Sequence, residues 1–333
     1  MGIFELAVDG QPMNLLSRKL YALALLCCAS SAPAAELKRI TFGYSTIGSQ
    51  ATGVWMAKEI GAFEKYGIQA DLIYIASGPV VVQALIGGDL HGGVGASNAV
   101  INAVLSGAPI VGVAATTNRP YHRLWVQPEI NRLEDLRGKT LGVTRFGAVT
   151  DNLTRILLRN NGLENAVNIR QLGGTMEVGA AFQQRLIAGA ITSELRLGPN
   201  VPAKLLLNLV DMGIPYSMNL IPVARDYYKR NPEAVDAMVR AYTEGVAALN
   251  SQKEKALKVI AKYSRLTEAR NIEDHYKDAV VYLERIPRAE PEALSTILEF
   301  IGKKGTAPET FVDNSIVDRM VREGFVDKLY GKR

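Results

Sequence analysis

The chain has 333 residues, a length that predicts about two domains at roughly 150 residues each. Hydrophobic residues make up 48% and charged residues 21%, which excludes a disordered, collagen-like or disulfide-stapled chain. With 38 basic and 33 acidic residues the net charge is +5, too dispersed for a nucleic-acid binder, whose Lys and Arg gather into a patch or stripe.

The start of the chain reads as a targeting segment. Arg18 and Lys19 precede an uncharged run, residues 20–35 (LYALALLCCASSAPAA). Ala32-Pro33-Ala34 then puts small residues at the two positions a signal peptidase reads. Residues 1–34 are therefore expected to be a secretory signal peptide. The run of 16 uncharged residues is shorter than the roughly 20 a spanning helix needs. Residues 1–12 (MGIFELAVDGQP) look unlike a signal, so translation is expected to begin at Met13 rather than Met1. The two cysteines, Cys27 and Cys28, are adjacent inside the run and make neither a bridge nor a zinc site. Neither follows a small residue, which argues against a lipid anchor. Removing residues 1–34 leaves 299 residues without cysteine, and the net charge stays at +5. No later segment is long and apolar enough to span a membrane, so the mature protein is expected to be soluble.

From Lys38 short β-branched runs alternate with helical stretches. Strands are expected at 40–44, 69–75, 92–96 and 110–115, with helices at 51–63 and from Pro79, where proline suits a first helical turn. Strand followed by helix, repeated, predicts a parallel sheet with helices on both faces. Such sheets bind ligands at the carboxyl ends of their strands, here the loops 45–50, 77–78, 95–97 and 116–118. A second α/β unit begins near His122, with strands at 123–126, 140–144, 167–172 and 190–192 and helices at 152–160 and 177–188. After Pro222 only amphipathic helices follow, at 232–249, 254–263, 271–283, 291–303 and 315–324, so this tail is expected to pack back on the first unit.

Signals for catalysis are thin. His91, His122 and His275 lie far apart without metal-ligand spacing, so no metal site is expected. The stretch Gly95-Ala96-Ser97-Asn98-Ala99 misses the last glycine of a nucleophile elbow, and Gly138-Lys139-Thr140 lacks the first glycine of a phosphate loop. Signals for binding are better. Tyr44, Ser45, Ser49 and Gln50 belong to a polar, glycine-bearing segment between a strand and a helix. Arg145, Phe146, Gly147 and Thr150 lead into a helix start, where free N–H groups and the dipole favour an anion, although Asp151, the expected helix cap, adds negative charge. Gly95, Ser97 and Thr117 sit at other strand ends. Trp55, Tyr121, Trp125 and Phe146 could each line a pocket or fill the core, and Glu194 and Arg196 could face a cleft or solvent.

Five segments in order carry a family resemblance: GYSTIGSQATGVWMAKEIGAFEKYGI (43–68), QALIGGDLHGGVGASNAV (83–100), SGAPIVGVAA (106–115), LEDLRGKTLGV (133–143) and GFVDKLY (324–330). Together they resemble periplasmic solute-binding proteins of ABC transporters, in the group similar to sulfonate, nitrate and thiamine-pyrimidine binders. The resemblance implies an α/β, type II periplasmic binding fold: two α/β lobes joined by two crossover strands, with C-terminal helices packed on the first lobe. It places the first lobe at 36–121 plus 224–333 and the second at 122–223. Carried over by position, the ligand contacts are Ser45, Ser49, Gly95, Ser97 and residues 145–150. The implied protein is a periplasmic monomer without cofactor that hands a small anionic or polar molecule to permease subunits in the inner membrane. Some relatives of similar outline are enzymes of thiamine-pyrimidine or sulfinate metabolism, and these use cysteines that the mature chain lacks. A receptor that senses a ligand and signals is the other alternative.

Overall fold

A computed structural model describes residues 36–331, apart from Glu194, Arg196 and Pro199, together with a short antiparallel pairing of Ala7–Val8 with Gln11–Pro12. Residues 13–34 of the expected signal peptide, with the Met13 start, Cys27 and Cys28, and also Glu194 and Arg196, lie outside the described residues.

From Lys38 the chain builds a first sheet. Strand β1 (Lys38–Tyr44) is followed by helices α1 (Thr52–Glu59) and α2 (Ala62–Lys65), then β2 (Ile68–Tyr74), α3 (Gly78–Gly87), β3 (Gly92–Ala96), α4 (Ser97–Leu105) and β4 (Ile110–Thr117). Strand β1 runs parallel to β2, with Lys38 opposite Ile68 through Tyr44 opposite Tyr74, and parallel to β3 on its other side. Its buried side chains Ile40 and Phe42 join Val54, Trp55 and Phe63 in one core. The expected helix over 51–63 breaks where Gly61 takes φ +71°.

The second sheet follows: β5 (Arg123–Val126), β6 (Thr140–Val143), α5 (Val149–Asn160), β7 (Asn168–Gln171), α6 (Thr175–Gln183), β8 (Gly189–Thr192) and β9 (Lys204–Asn208). Its strand order is β9-β5-β8-β6-β7. Helix α6 stops earlier than the expected 188, just before Arg185 turns left-handed at φ +57°. Helix α5 begins three residues before the expected 152, so Asp151 is not the cap. Ala148 holds that position, and Asp151 lies inside the first turn.

Strand β10 (Asn219–Ala224) then returns to the first sheet, whose order is β2-β1-β3-β10-β4, antiparallel to both β3 and β4. The sequence expectation puts residues up to 223 in the second unit, whereas Asn219–Val223 pair in the first sheet. Pro222, which has no N–H for a ladder, hides this strand; a register shift between Ile221 and Pro222 accommodates it. The remaining helices are α7 (Arg225–Arg230), α8 (Pro232–Ser251), α9 (Lys253–Ser264), α10 (Ala269–Tyr282), α11 (Pro291–Phe300), α12 (Ser315–Arg322) and α13 (Phe325–Leu329). Helix α8 packs on α1 and buries Val235, Met238, Tyr242 and Val246, while Gly112 of β4 bridges to Val312 before α12. The tail thus covers the first sheet, as its helix-only pattern requires. No helix among the described residues is long and apolar enough to cross a membrane.

Two connections join the sheets, residues 118–122 and 209–218. They run against each other as a pair. Tyr216 N donates to Asn118 O at 3.0 Å, Met218 N to Thr117 O at 2.9 Å and Leu209 N to His122 O at 2.9 Å. A hinge whose two backbones satisfy each other can bend without exposing unpaired polar groups.

Candidate functional site

The carboxyl ends of the parallel strands of both sheets face one another across the hinge. Ser45 and Thr46 follow β1, Tyr74 ends β2 and Ser77 follows it, and Ala96 ends β3. Opposite them stand Thr144 after β6, Thr150 in the first turn of α5, Thr175 at the start of α6, and Thr192 and Ser193 at the end of β8. Gln50 closes one side, and His122 at the end of the first crossover and Asn219 at the start of β10 form the floor. The cavity they enclose is about 50 Å³, several times the roughly 10–15 Å³ that one enclosed water needs. A wider hollow of about 670 Å³ lies between β5, β9 and α10, lined by Trp125, Leu205 and Asp274 among others. The strand-end cleft is the better candidate, because there helix starts and unpaired buried polar atoms converge.

Three of those atoms stand out. Ser77 Oγ, His122 Nδ1 and Asn219 Oδ1 are buried without a hydrogen-bond partner, and all three residues line the cleft. An unmet buried polar atom is destabilising by about 1–3 kcal/mol, so three beside one cavity mark a place where a ligand completes the bonding. Ser77 also holds φ +87°, a left-handed conformation that non-glycine residues avoid and that clusters at ligand clamps. Burial pushes the His122 imidazole down to a pKa of about 3, helped by Arg123 beside it, so the ring is neutral. Thr144 and Thr150 brace the second-lobe wall: Thr144 N donates to Thr150 Oγ1 at 3.1 Å and the two hydroxyls pair at 2.9 Å.

Contacts between the lobes hold this arrangement shut. Asn98 Nδ2 of α4 donates to Gly147 O at 2.8 Å. Gly147 takes φ +75°, which turns the chain so that its N–H meets Asp151 Oδ2 at 2.9 Å while its carbonyl faces Asn98. Arg123 of β5 grips Asp278 of α10 with two bonds of 2.8 Å and donates to Ser193 O at 3.0 Å. That pair ties the first strand of the second lobe to the helical tail of the first.

Of the residues singled out from sequence, the structure brings Ser45, Gln50 and Ala148, Val149 and Thr150 of the 145–150 segment to the cleft wall. Tyr44 packs into the core, edge-on to Trp55 at 6.0 Å. Ser49 is buried with its hydroxyl 3.5 Å from Tyr121 Oη, and Ser97 Oγ pairs with Ser217 Oγ at 2.8 Å. Gly95 lies within β3 against Val82 and Pro222, and Thr117 is buried at the end of β4. Arg145 is exposed outside the lining, and Phe146 is 50% exposed with Arg155 over its ring at 5.6 Å. Gly147 contributes to the lobe contact. Trp55 is core, stacked on Tyr263 at 5.3 Å, and Tyr121 is buried against Tyr282 at 4.6 Å. The sequence does not single out Thr46, Ser77, His122, Thr144, Thr175, Thr192, Ser193 or Asn219, although Thr46 and Ser77 lie in two loops, 45–50 and 77–78, that it reads as strand ends. Among the described residues no group of three or more His, Cys, Asp or Glu is placed to hold a metal ion.

Comparison with known proteins agrees with this architecture. A binding protein of Brucella abortus (strain 2308) is 26% identical over 238 residues, covering 69% of this chain and 72% of that one. The periplasmic aliphatic sulphonate binding protein SsuA of Escherichia coli superposes with a TM-score of 0.63 at 20% identity, covering 86% of this chain and 88% of that one. The periplasmic nitrate-binding protein NrtA of Synechocystis PCC 6803 gives a TM-score of 0.65 at 14% identity, covering 88% and 89%. These likenesses show the periplasmic binding-protein fold. Residues 49–256 match the family model described as NMT1/THI5 like, and the chain belongs to that family.

Proposed function

We propose that the protein is an exported receptor of an ABC importer that captures one small polar molecule between its lobes and delivers it to a membrane permease. The observation that carries this reading is the closed inter-lobe cleft with three unpaired buried polar atoms on its wall and floor. A binding site needs donors and acceptors that a ligand completes, and a clamp that closes on it. Catalysis would need an activated nucleophile or a carboxylate, and among the described lining residues there is no Cys, Asp, Glu or Lys. The same contrast favours the receptor over an enzyme of similar outline. We further propose that the signal-like segment 1–34 sends the chain to the periplasm, where it acts as a monomer without a cofactor.

Two measurements test this together. A bound ligand is expected to raise the melting temperature, since a ligand at 100 times its dissociation constant adds about 2.7 kcal/mol. Deletion of the protein is expected to abolish uptake of that ligand by whole cells. Turnover of the bound compound, read by mass spectrometry, would replace the receptor with an enzyme. Loss of a ligand response with uptake intact would replace it with a sensor.

A further inference from the structure

The electrostatics of the cleft differ from those expected around an anion. Among the described residues that line it there is no Lys, Arg, Asp or Glu, and Arg145, the cation expected there from sequence, is exposed elsewhere. The two second-lobe helices that start at the cleft each carry an acid in the first turn, Asp151 in α5 and Glu177 in α6. Asp151 is paired with Arg155 at 2.8 Å, and the Glu177 carboxylate opposes the attraction that a helix N-terminus otherwise offers an anion. Asp151 also takes up the Gly147 N–H at 2.9 Å, a donor an anion would otherwise use. Moving a full charge into such a site forfeits its hydration without gaining a counter-charge.

The unpaired atoms point the same way. Asn219 Oδ1 is a hydrogen-bond acceptor, buried and bare at the cleft floor. An acceptor is satisfied only by an N–H or O–H. The Ser77 hydroxyl can serve either role, and the second-lobe helix starts at Val149 and Thr175 supply N–H donors for an acceptor on the ligand.

We propose that the cleft takes an uncharged polar molecule that carries both a hydrogen-bond acceptor and at least one N–H or O–H donor, and that it discriminates against fully deprotonated oxoanions. The proposal rests on the receptor reading and names the ligand class of the same site. A nitrate or sulfonate group has acceptors only. It would leave the Asn219 oxygen bare on binding, which corresponds to a loss of roughly tenfold or more in affinity.

Isosteric pairs separate charge and donor content from shape. Urea and nitrate are both small and planar, and methanesulfonamide and methanesulfonate share one tetrahedral frame. In each pair the first is neutral with N–H donors and the second is an anion without them. Binding of each probe to the full chain is measured by calorimetry at millimolar concentrations, alongside the Ser77→Gly variant. Glycine removes the hydroxyl while relaxing the left-handed backbone, so this variant is expected to fold with an undiminished melting temperature. The expected result is that the neutral member of at least one pair binds about tenfold or more tighter than its anion, and that Ser77→Gly weakens it about fivefold. Nitrate or methanesulfonate binding as tightly as its neutral partner, with the same sensitivity to Ser77→Gly, overturns the ligand class and leaves the receptor standing. No binding by any of the four, in a protein that melts cooperatively, overturns both.

Discussion

His122 makes the fold sensitive to acid in a way that can be worked out in advance. The imidazole lines the cleft, is buried to 4% exposure, and has its pKa depressed to about 3 by burial first and by Arg123 second. In the unfolded chain the same ring titrates near its ordinary value of about 6.5. Between those two values the unfolded state binds a proton that the folded state refuses, so stability rises with pH across the window and falls as pH drops through it. At about 1.4 kcal/mol per pH unit, this one group removes roughly 2 kcal/mol between pH 7 and pH 5 and about 3 kcal/mol by pH 4. The assay is guanidinium chloride unfolding followed by circular dichroism at pH 7 and pH 5, on the native chain and on His122→Gln. The glutamine does not titrate, so the difference between the two proteins isolates the ring from every carboxylate that also responds to acid. The native chain is expected to lose about 2 kcal/mol more than the variant over that interval. Equal losses would mean that the ring is not held neutral in the fold, and that the cleft floor carries a charge near neutral pH.

Three other perturbations follow from named contacts. The Arg123–Asp278 pair has side-chain exposures of 22% and 15%, between a surface pair and a buried one. Asp278→Ala is therefore expected to lose about 2 kcal/mol, and a double-mutant cycle with Arg123→Ala to give a coupling of about 1–2 kcal/mol. A coupling under about 0.5 kcal/mol would remove the pair as a tie between the lobes. Arg145→Ala is expected to leave affinity for any cleft-bound probe unchanged within about 0.5 kcal/mol, because the side chain is exposed outside the lining. Tighter dependence by calorimetry would place Arg145 over the ligand. Gly245→Ala is expected to destabilise the first lobe by about 1–3 kcal/mol, since the added methyl would press on the Gly53 carbonyl oxygen and lie 2.6 Å from Ala57 N, where α8 crosses α1. An unchanged unfolding midpoint would show that the two helices can separate without loss.

Most of the architecture was legible because parallel α/β units announce themselves. A buried strand such as Ile110–Thr117 is a continuous apolar run, and a helix start such as Pro232 after Asn231 carries its own punctuation. What stayed hidden was the strand that breaks its own rule. Residues Asn219–Ala224 contain a proline in mid-sheet, and only the register shift beside it lets β10 lie between β3 and β4. That single strand moves the lobe boundary and puts Asn219 on the cleft floor.

The site residues were missed for a different reason, one of parity. Loops at strand ends were found from the α/β rhythm, but side chains alternate between faces along a strand, so neighbours in one loop have opposite fates. At the end of β3 the sequence singled out Gly95 and Ser97. The structure turns Ala96, between them, to the cleft and sends Ser97 to a buried pair with Ser217. At the end of β1 Tyr44 goes to the core against Trp55, while Ser45 faces the ligand side. Hydroxyls and aromatics look equally functional in a one-dimensional reading, yet the partner across the sheet decides which is free. Ser97 has found its partner and Ser77 has not. For binding, the informative quantity is therefore the bond a polar atom still lacks in the folded chain, and composition does not record it.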